Sequence, residues 1–225
     1  MKKRTAFIGA VLSLIPFGQP SLINTGVVLS TTGLILSIPE KAQAESATFY
    51  FDSAYEKAER GDHYGAISDY TKAIELNPKD ADAFFKRGYS KGELKDYNGA
   101  ISDYTKAVKL NPKDADAFFN RGYLKGVLKD YNGAISDYTK VIELDPKDEE
   151  AYFNRGYSKG ELKDHYGAIS DYIKAIELDP KYADAYVNRG IEKEQIRDMV
   201  GACSDWQKAS QLGDQDAANW VRDEC

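Results

Sequence analysis

Histidine and cysteine are scarce in this chain, at two each in 225 residues. His63 and His165 stand far apart, and neither lies near Cys203 or Cys225 in sequence, so no cluster has the spacing of a zinc site. The cysteines are not in a C-x-x-C arrangement, which excludes a familiar redox pair. No nucleophile with its base, paired carboxylates in a pocket or phosphate-cradling glycine loop is visible. These absences argue against an enzyme, and no cofactor or metal is expected. An excess of positive charge is missing too: 30 Lys and Arg face 36 Asp and Glu, a net −6. Nucleic-acid binding needs clustered cations to release counterions, so no nucleic-acid partner is expected. Long apolar runs are confined to the first 38 residues; nothing further on is apolar for long enough to cross a bilayer.

That N-terminal segment is different in kind. Lys2, Lys3 and Arg4 precede an apolar run from Thr5 to Phe17, and a second run, Leu22 to Ile38, leads to Ala42-Gln43-Ala44. A basic start, an apolar stretch and an A-x-A site describe a secretory signal over residues 1–44, with cleavage between Ala44 and Glu45. The competing reading is an uncleaved anchor, since the second run is about long enough to span a membrane, though Asn24, Gly26, Ser30, Thr31, Thr32 and Gly33 dilute it. No paired arginines precede the run, which favours the general secretory route. Export places the protein in the periplasm, thylakoid lumen or extracellular space; membrane attachment follows only if the segment stays. Residues 1–44 hold four basic and one acidic side chain, leaving the remainder at −9, a charge an anionic lipid surface repels.

What fills the rest is repetition. Near copies begin at Asn77, Asn111, Asp145 and Asp179, each 34 residues after the last, and a fifth without its leading loop runs from Ala47 to Leu76. A period of this size means stacked units, none able to bury its apolar face alone. Within the second copy, Phe84, Gly88 and Lys91 share one helical stripe, and Ala100, Tyr104 and Ala107 share another. Asp62, Asp96, Asp130, Asp164 and Asp198 stand where each second helix would begin and can cap it. Pro112 closes one unit and opens the next. The pattern predicts a helical hairpin repeated five times, over 47–80, 81–114, 115–148, 149–182 and 183–216, followed by a capping helix over 217–225.

Phe84, Gly88, Ala100, Tyr104, Ala107 and Pro112, with their later counterparts, resemble the tetratricopeptide repeat at its signature offsets. The Asn-Arg-Gly and Gly-Ala-Ile-Ser-Asp-Tyr runs most resemble repeat proteins of cyanobacteria and other bacteria. The resemblance covers about Ala47 to Asp216, nearly all of the chain after the signal, and implies an all-α, right-handed α-solenoid of five helix-turn-helix repeats. Two departures recur: Arg87, Arg121, Arg155 and Arg189 stand where the family has Leu, and Lys57, Lys91, Lys125, Lys159 and Lys193 stand where it has Tyr. Asp69, Asp103, Asp137, Asp171 and Asp205 lie on the facing helix. Arg and Lys could form an anion site, or they could pair with these acids and fix how the two helices dock.

The resemblance also implies that the first helix of each repeat lines a concave groove. Phe85, Phe119 and Phe153 would face it, or fill the joints between repeats; Tyr89, Tyr123 and Tyr157 lie one turn further on. Lys86, Asn120, Asn154 and Asn188 share a position at which asparagine can bond both backbone groups of an extended peptide. Three solvated polar residues are the alternative. Asp82, Asp116, Glu150, Asp184, Glu93 and Glu161 make the groove acidic, favouring a neutral or basic segment and counting against capture of a chaperone's terminal carboxylate.

At the C-terminus, Asp216 to Glu224 reads as a short closing helix with Ala217, Ala218 and Val221 inward and Trp220 beside them. Reflection about a turn at Gly213-Asp214 sets Cys225 opposite Cys203. In an exported chain that favours a disulfide, worth about 3 kcal/mol for a loop of this size; two inert thiols are the alternative. The reading as a whole is a non-catalytic scaffold binding a peptide or protein segment. A self-associating structural array and a membrane-attached assembly factor are the alternatives, and no oligomeric state is written in the sequence.

Overall fold

Aspartate starts nearly every helix of this protein. The computed structural model describes residues 40–225, and among them it contains eleven helices and no strand. Most of the segment read as a secretory signal, including both apolar runs, lies outside the described residues. Five hairpins follow in order: α1 (Glu40–Glu59) with α2 (His63–Leu76), α3 (Ala81–Glu93) with α4 (Tyr97–Leu110), α5 (Ala115–Val127) with α6 (Tyr131–Leu144), α7 (Glu149–Glu161) with α8 (His165–Leu178), and α9 (Ala183–Gln195) with α10 (Met199–Gln211). A final helix, α11 (Gln215–Glu224), closes the array, starting two residues ahead of the expected cap. In nine of the eleven helices an Asp side chain accepts the backbone N–H three residues on, as Asp96 does from Gly99 and Asp114 from Ala117. Each such cap contributes about 1 kcal/mol. Among the repeat helices after α1, α9 departs from this: Tyr182 replaces the aspartate and makes no cap bond, and its ring packs instead 4.9 Å from that of Phe153.

Each second helix packs on its own partner and on the first helix of the next repeat, and successive first helices also touch, α1 with α3, α5 with α7 and α7 with α9. That contact sets the first helices on the inner side of the coil. The core is built from small residues around one large ring per repeat. Ala54, Ala66, Ala83, Ala100, Ala117, Ala134, Ala151 and Ala168 are fully buried, and Tyr70, Tyr104, Tyr138, Tyr172 and Trp206 fill the space between them. Where Trp206 replaces tyrosine the larger ring demands glycine opposite: a Cβ on Gly190 would lie 2.4 Å from the indole nitrogen. At the end of the array Ala217, Trp220 and Val221 of α11 join Trp206 in one cluster. Trp220 therefore belongs to the inner face of the cap, with its ring 5.3 Å from that of Trp206. Cys203 on α10 and the terminal Cys225 form a disulfide, their Cα atoms 5.8 Å apart.

The turn inside each hairpin is a tight left-handed C-cap. Lys95 N–H bonds the Gly92 carbonyl and Asp96 N–H the Lys91 carbonyl. The middle residue takes φ near +65° at Lys95, Lys129, Lys163 and Arg197, whereas Gly61 and Gly213 hold the equivalent left-handed turns elsewhere. A side chain there costs about 1–2 kcal/mol, only partly offset by about 0.3 kcal/mol from a cation near the helix C-terminus and by the greater chain entropy that glycine loses on folding. Lys95→Gly, Lys129→Gly and Lys163→Gly are each expected to stabilise by roughly 0.5 kcal/mol, adding together because the turns share no partners. A urea midpoint for the triple variant no higher than that of the parent would contradict the strain argument.

Candidate functional site

The stripe of arginines and lysines is consumed within the fold. In repeats two to five the guanidinium clasps the aspartate of the facing helix through two bonds, Nε at 2.9 Å and a terminal nitrogen at 2.5–2.7 Å. The lysine one turn on closes the triad at 2.7–2.8 Å. The aspartates of these four triads are 2–3% exposed and the arginine side chains 13–17%, so the triads leave no free anion site. Each guanidinium also lies 5.4–5.6 Å from an aromatic ring on its own helix, Phe84, Phe118, Tyr152 or Tyr186. A further arginine nitrogen reaches back to the previous repeat, donating to Thr71, Thr105 and Thr139 at 3.0–3.2 Å. Arg189 has no such threonine, because Ile173 stands at that position. In the first repeat Ser53, Lys57 and Lys72 serve Asp69 instead. Burial would raise that carboxyl, but these hydrogen bonds outweigh it and hold it down at about 2.

Of the residues expected in the groove, the phenylalanines turn inward. Phe119 is 5% exposed; its ring is 5.4 Å from that of Tyr138. Phe85 packs 5.5 Å from Tyr104, and Phe153 lies between Tyr172 at 5.7 Å and Tyr182 at 4.9 Å. These rings pack into the hairpins and joints, Phe119 buried and Phe85 and Phe153 half-buried. The polar residues one position on remain at the surface of the inner helices. Asn120, Asn154 and Asn188 each donate one amide hydrogen to the carbonyl four residues back, on Asp116, Glu150 and Asp184, at 2.7–2.8 Å. The bond leaves each amide with one N–H and its carbonyl oxygen for a partner and sets all three in the same pose. Lys86 holds the equivalent place in the second repeat, its ammonium 5.3 Å from the Tyr55 ring.

Tyr89, Tyr123 and Tyr157 line the next turn. Tyr123 is 39% exposed, and its neighbours in the row are half-buried. Burial, then Glu93 and Glu59, raises the Tyr89 hydroxyl, and burial with Glu161 does the same for Tyr157. Two contacts across the joints had no sequence signal beyond a shared repeat position. Tyr131, at the start of α6, donates its hydroxyl to Glu161 at 2.8 Å, and this bond, ahead of burial, pushes it up to about 12. His165, at the same place one repeat later, meets Glu192 at 2.7 Å. Gly160 makes room for that carboxylate, since a Cβ there would sit 2.2 Å from it. Among the described residues no helix is long and apolar enough to cross a membrane.

The triads generate a direct expectation. Asp137→Leu strands Arg121 and Lys125 without their carboxylate and is expected to cost about 3–5 kcal/mol. Replacing all three by leucine should recover most of that loss, because burying a triad offsets its own attraction with desolvation. Urea unfolding of the two variants decides the matter; equal losses in both would show that the pair's packing, not its charge balance, matters.

This geometry coincides with known repeat architecture. The "TPR repeat" family profile matches residues 54–95, 90–126 and 128–163, and the "Tetratricopeptide repeat" profile matches 149–182. A crystal structure of MamA protein superposes with a TM-score of 0.73 at 25% identity, covering 80% of this chain and 97% of that one. YrrB, described as a TPR protein with an unusual peptide-binding site, superposes at 0.73 and 24% identity over 81% and 94%. MamA 41-end from Desulfovibrio magneticus RS-1 superposes at 0.72 and 22% over 76% and 96%. No curated protein matches the chain in sequence. With the profiles spanning residues 54 to 182 and the hairpins stacked as described, the chain belongs to the tetratricopeptide repeat family.

Proposed function

We propose that the protein is a non-catalytic scaffold that holds an extended peptide or protein segment along α3, α5, α7 and α9, outside the cytoplasm. Tetratricopeptide proteins are protein-interaction scaffolds, and the peptide-binding site named for YrrB supports a peptide ligand for this chain. The observation that carries the reading is the row Asn120, Asn154 and Asn188. Each amide is already fixed by its own helix, so little side-chain entropy is lost when a ligand backbone bonds the remaining donor and acceptor. Identical groups at repeat spacing suit a partner read through its main chain. The acids at Asp82, Asp116, Glu150 and Asp184 favour neutral or basic ligands over acidic ones. Open-ended stacking through the C-terminal end would have to displace α11, which covers the last hairpin and is tied to it by Cys203–Cys225.

Immobilised protein is expected to retain a partner from a native exported fraction, and the Asn120→Ala, Asn154→Ala, Asn188→Ala variant is expected to lose it. Equal recovery on both would remove the asparagine row from the site. Export itself predicts a mature N-terminus at Glu45. Cleavage there trims the start of α1 and leaves Ala47, a buried residue of its inner face. Intact mass of the protein from the cell reads this directly, and a full-length mass would favour the anchored form.

A further inference from the structure

The groove contains one seat that the chain fills itself. The Lys86 ammonium stands 5.3 Å from the centre of the Tyr55 ring, within the range at which a cation is attracted to an aromatic face. Lys86 follows Tyr55 by 31 residues. In the next three copies the same offset leads from Tyr89 to Asn120, from Tyr123 to Asn154 and from Tyr157 to Asn188, so the repeat supplies a ring each time but a cation only once. The asparagine amides are neutral and held against their own helices.

The surroundings of these rings are acidic. Glu59 and Glu93 stand by Tyr89, and Glu161 by Tyr157. Apart from Lys86, the lysines and arginines on the same helices are engaged by the buried aspartates and do not answer that charge. Val127 replaces glutamate beside the central Tyr123, leaving that ring, the most exposed of the three, with an apolar flank.

The geometry points to Tyr89, Tyr123 and Tyr157 as seats for lysine or arginine side chains of an extended ligand segment, in the register that Lys86 occupies on Tyr55. This rests on the groove reading above and adds the ligand's chemistry to it. The first helices of neighbouring repeats touch, as α5 does α7, so the step between seats is taken as about 10 Å, the spacing of packed helices; an extended or polyproline chain advances about 3.1–3.3 Å per residue. The segment that fits therefore carries a cation at every third residue, its backbone on the asparagines and its charged ends over the rings. Lys86 closes the row at one end by taking the place a ligand cation would otherwise occupy.

The probe is a fluorescein-labelled peptide, (Lys-Pro-Thr)4, with the same peptide bearing acetyl-lysine as its neutral control, read by anisotropy against the protein as isolated. The basic peptide is expected to bind at least about tenfold more tightly than the control, three seats each contributing a few-fold. Replacing the three tyrosines by leucine should abolish that margin, and replacing them by phenylalanine should keep it, because the ring face and not the hydroxyl attracts the cation. Circular dichroism of both variants separates lost seats from lost fold. Lys86→Asn should tighten binding about threefold by freeing Tyr55, whereas Lys106→Asn, the same charge change on α4, should not. Equal binding of the two peptides, retention of the margin in the leucine variant, or equal effects of the two lysine changes would each overturn the inference. If both peptides bind alike and both are lost on substitution of the asparagines, the main-chain groove survives and the cation seats do not.

Discussion

The carboxylate clasped between two helices is the interaction on which the array depends. A helix pair whose interface is mostly alanine, glycine and one ring has little side-chain bulk to resist sliding. Asp103 and its equivalents, gripped from the opposite helix by a bidentate arginine and a lysine, set both distance and register. An ion pair at this burial adds little net stability over an apolar replacement, so its contribution is to geometry. The same guanidinium lies over an aromatic ring of its own helix and reaches the threonine of the repeat before. One side chain thus couples the inside of a hairpin to the joint behind it, and repetition carries that coupling along the solenoid. Where threonine gives way to Ile173 the link to the last repeat is missing, and aromatic packing of Tyr182 on Phe153 takes over at that joint.

This arrangement decides the character of the inner surface. Cations that a reading of composition would count towards ligand binding are neutralised inside the hairpins. The acids of the first helices face a groove with few opposing charges, Lys86 among them. The aromatic residues divide most sharply in the third repeat, where Phe119 enters the core and Tyr123, four positions on, stays at the surface. A hydroxyl explains the division: tyrosine can keep its polar end towards water or glutamate while its ring borders the groove.

The joints between repeats are less uniform than the sequence repeat suggests. Tyr131 with Glu161 and His165 with Glu192 occupy equivalent places but use different partners on the next helix. Nothing in the linear pattern marks them, because the partners are 30 and 27 residues apart. Their bonds exist only after neighbouring hairpins have stacked.

The helical hairpin, its repetition and the aspartate caps of the second helices were legible in the residues alone, and the recurrence of Asp with Arg and Lys narrowed their role to two readings. All of them are local or recur at a fixed period, and helix capping and amphipathic spacing act over a few residues. The fate of each groove side chain was not legible. Whether Phe119 lines a cleft or fills a joint, whether asparagine is free or held by its own helix, and whether Lys86 is solvated or seated on Tyr55 depend on the distance between repeats. That distance is a property of packed helices, set by the alanines, the rings and the clasped carboxylates acting together, and it comes into being only when the array has folded.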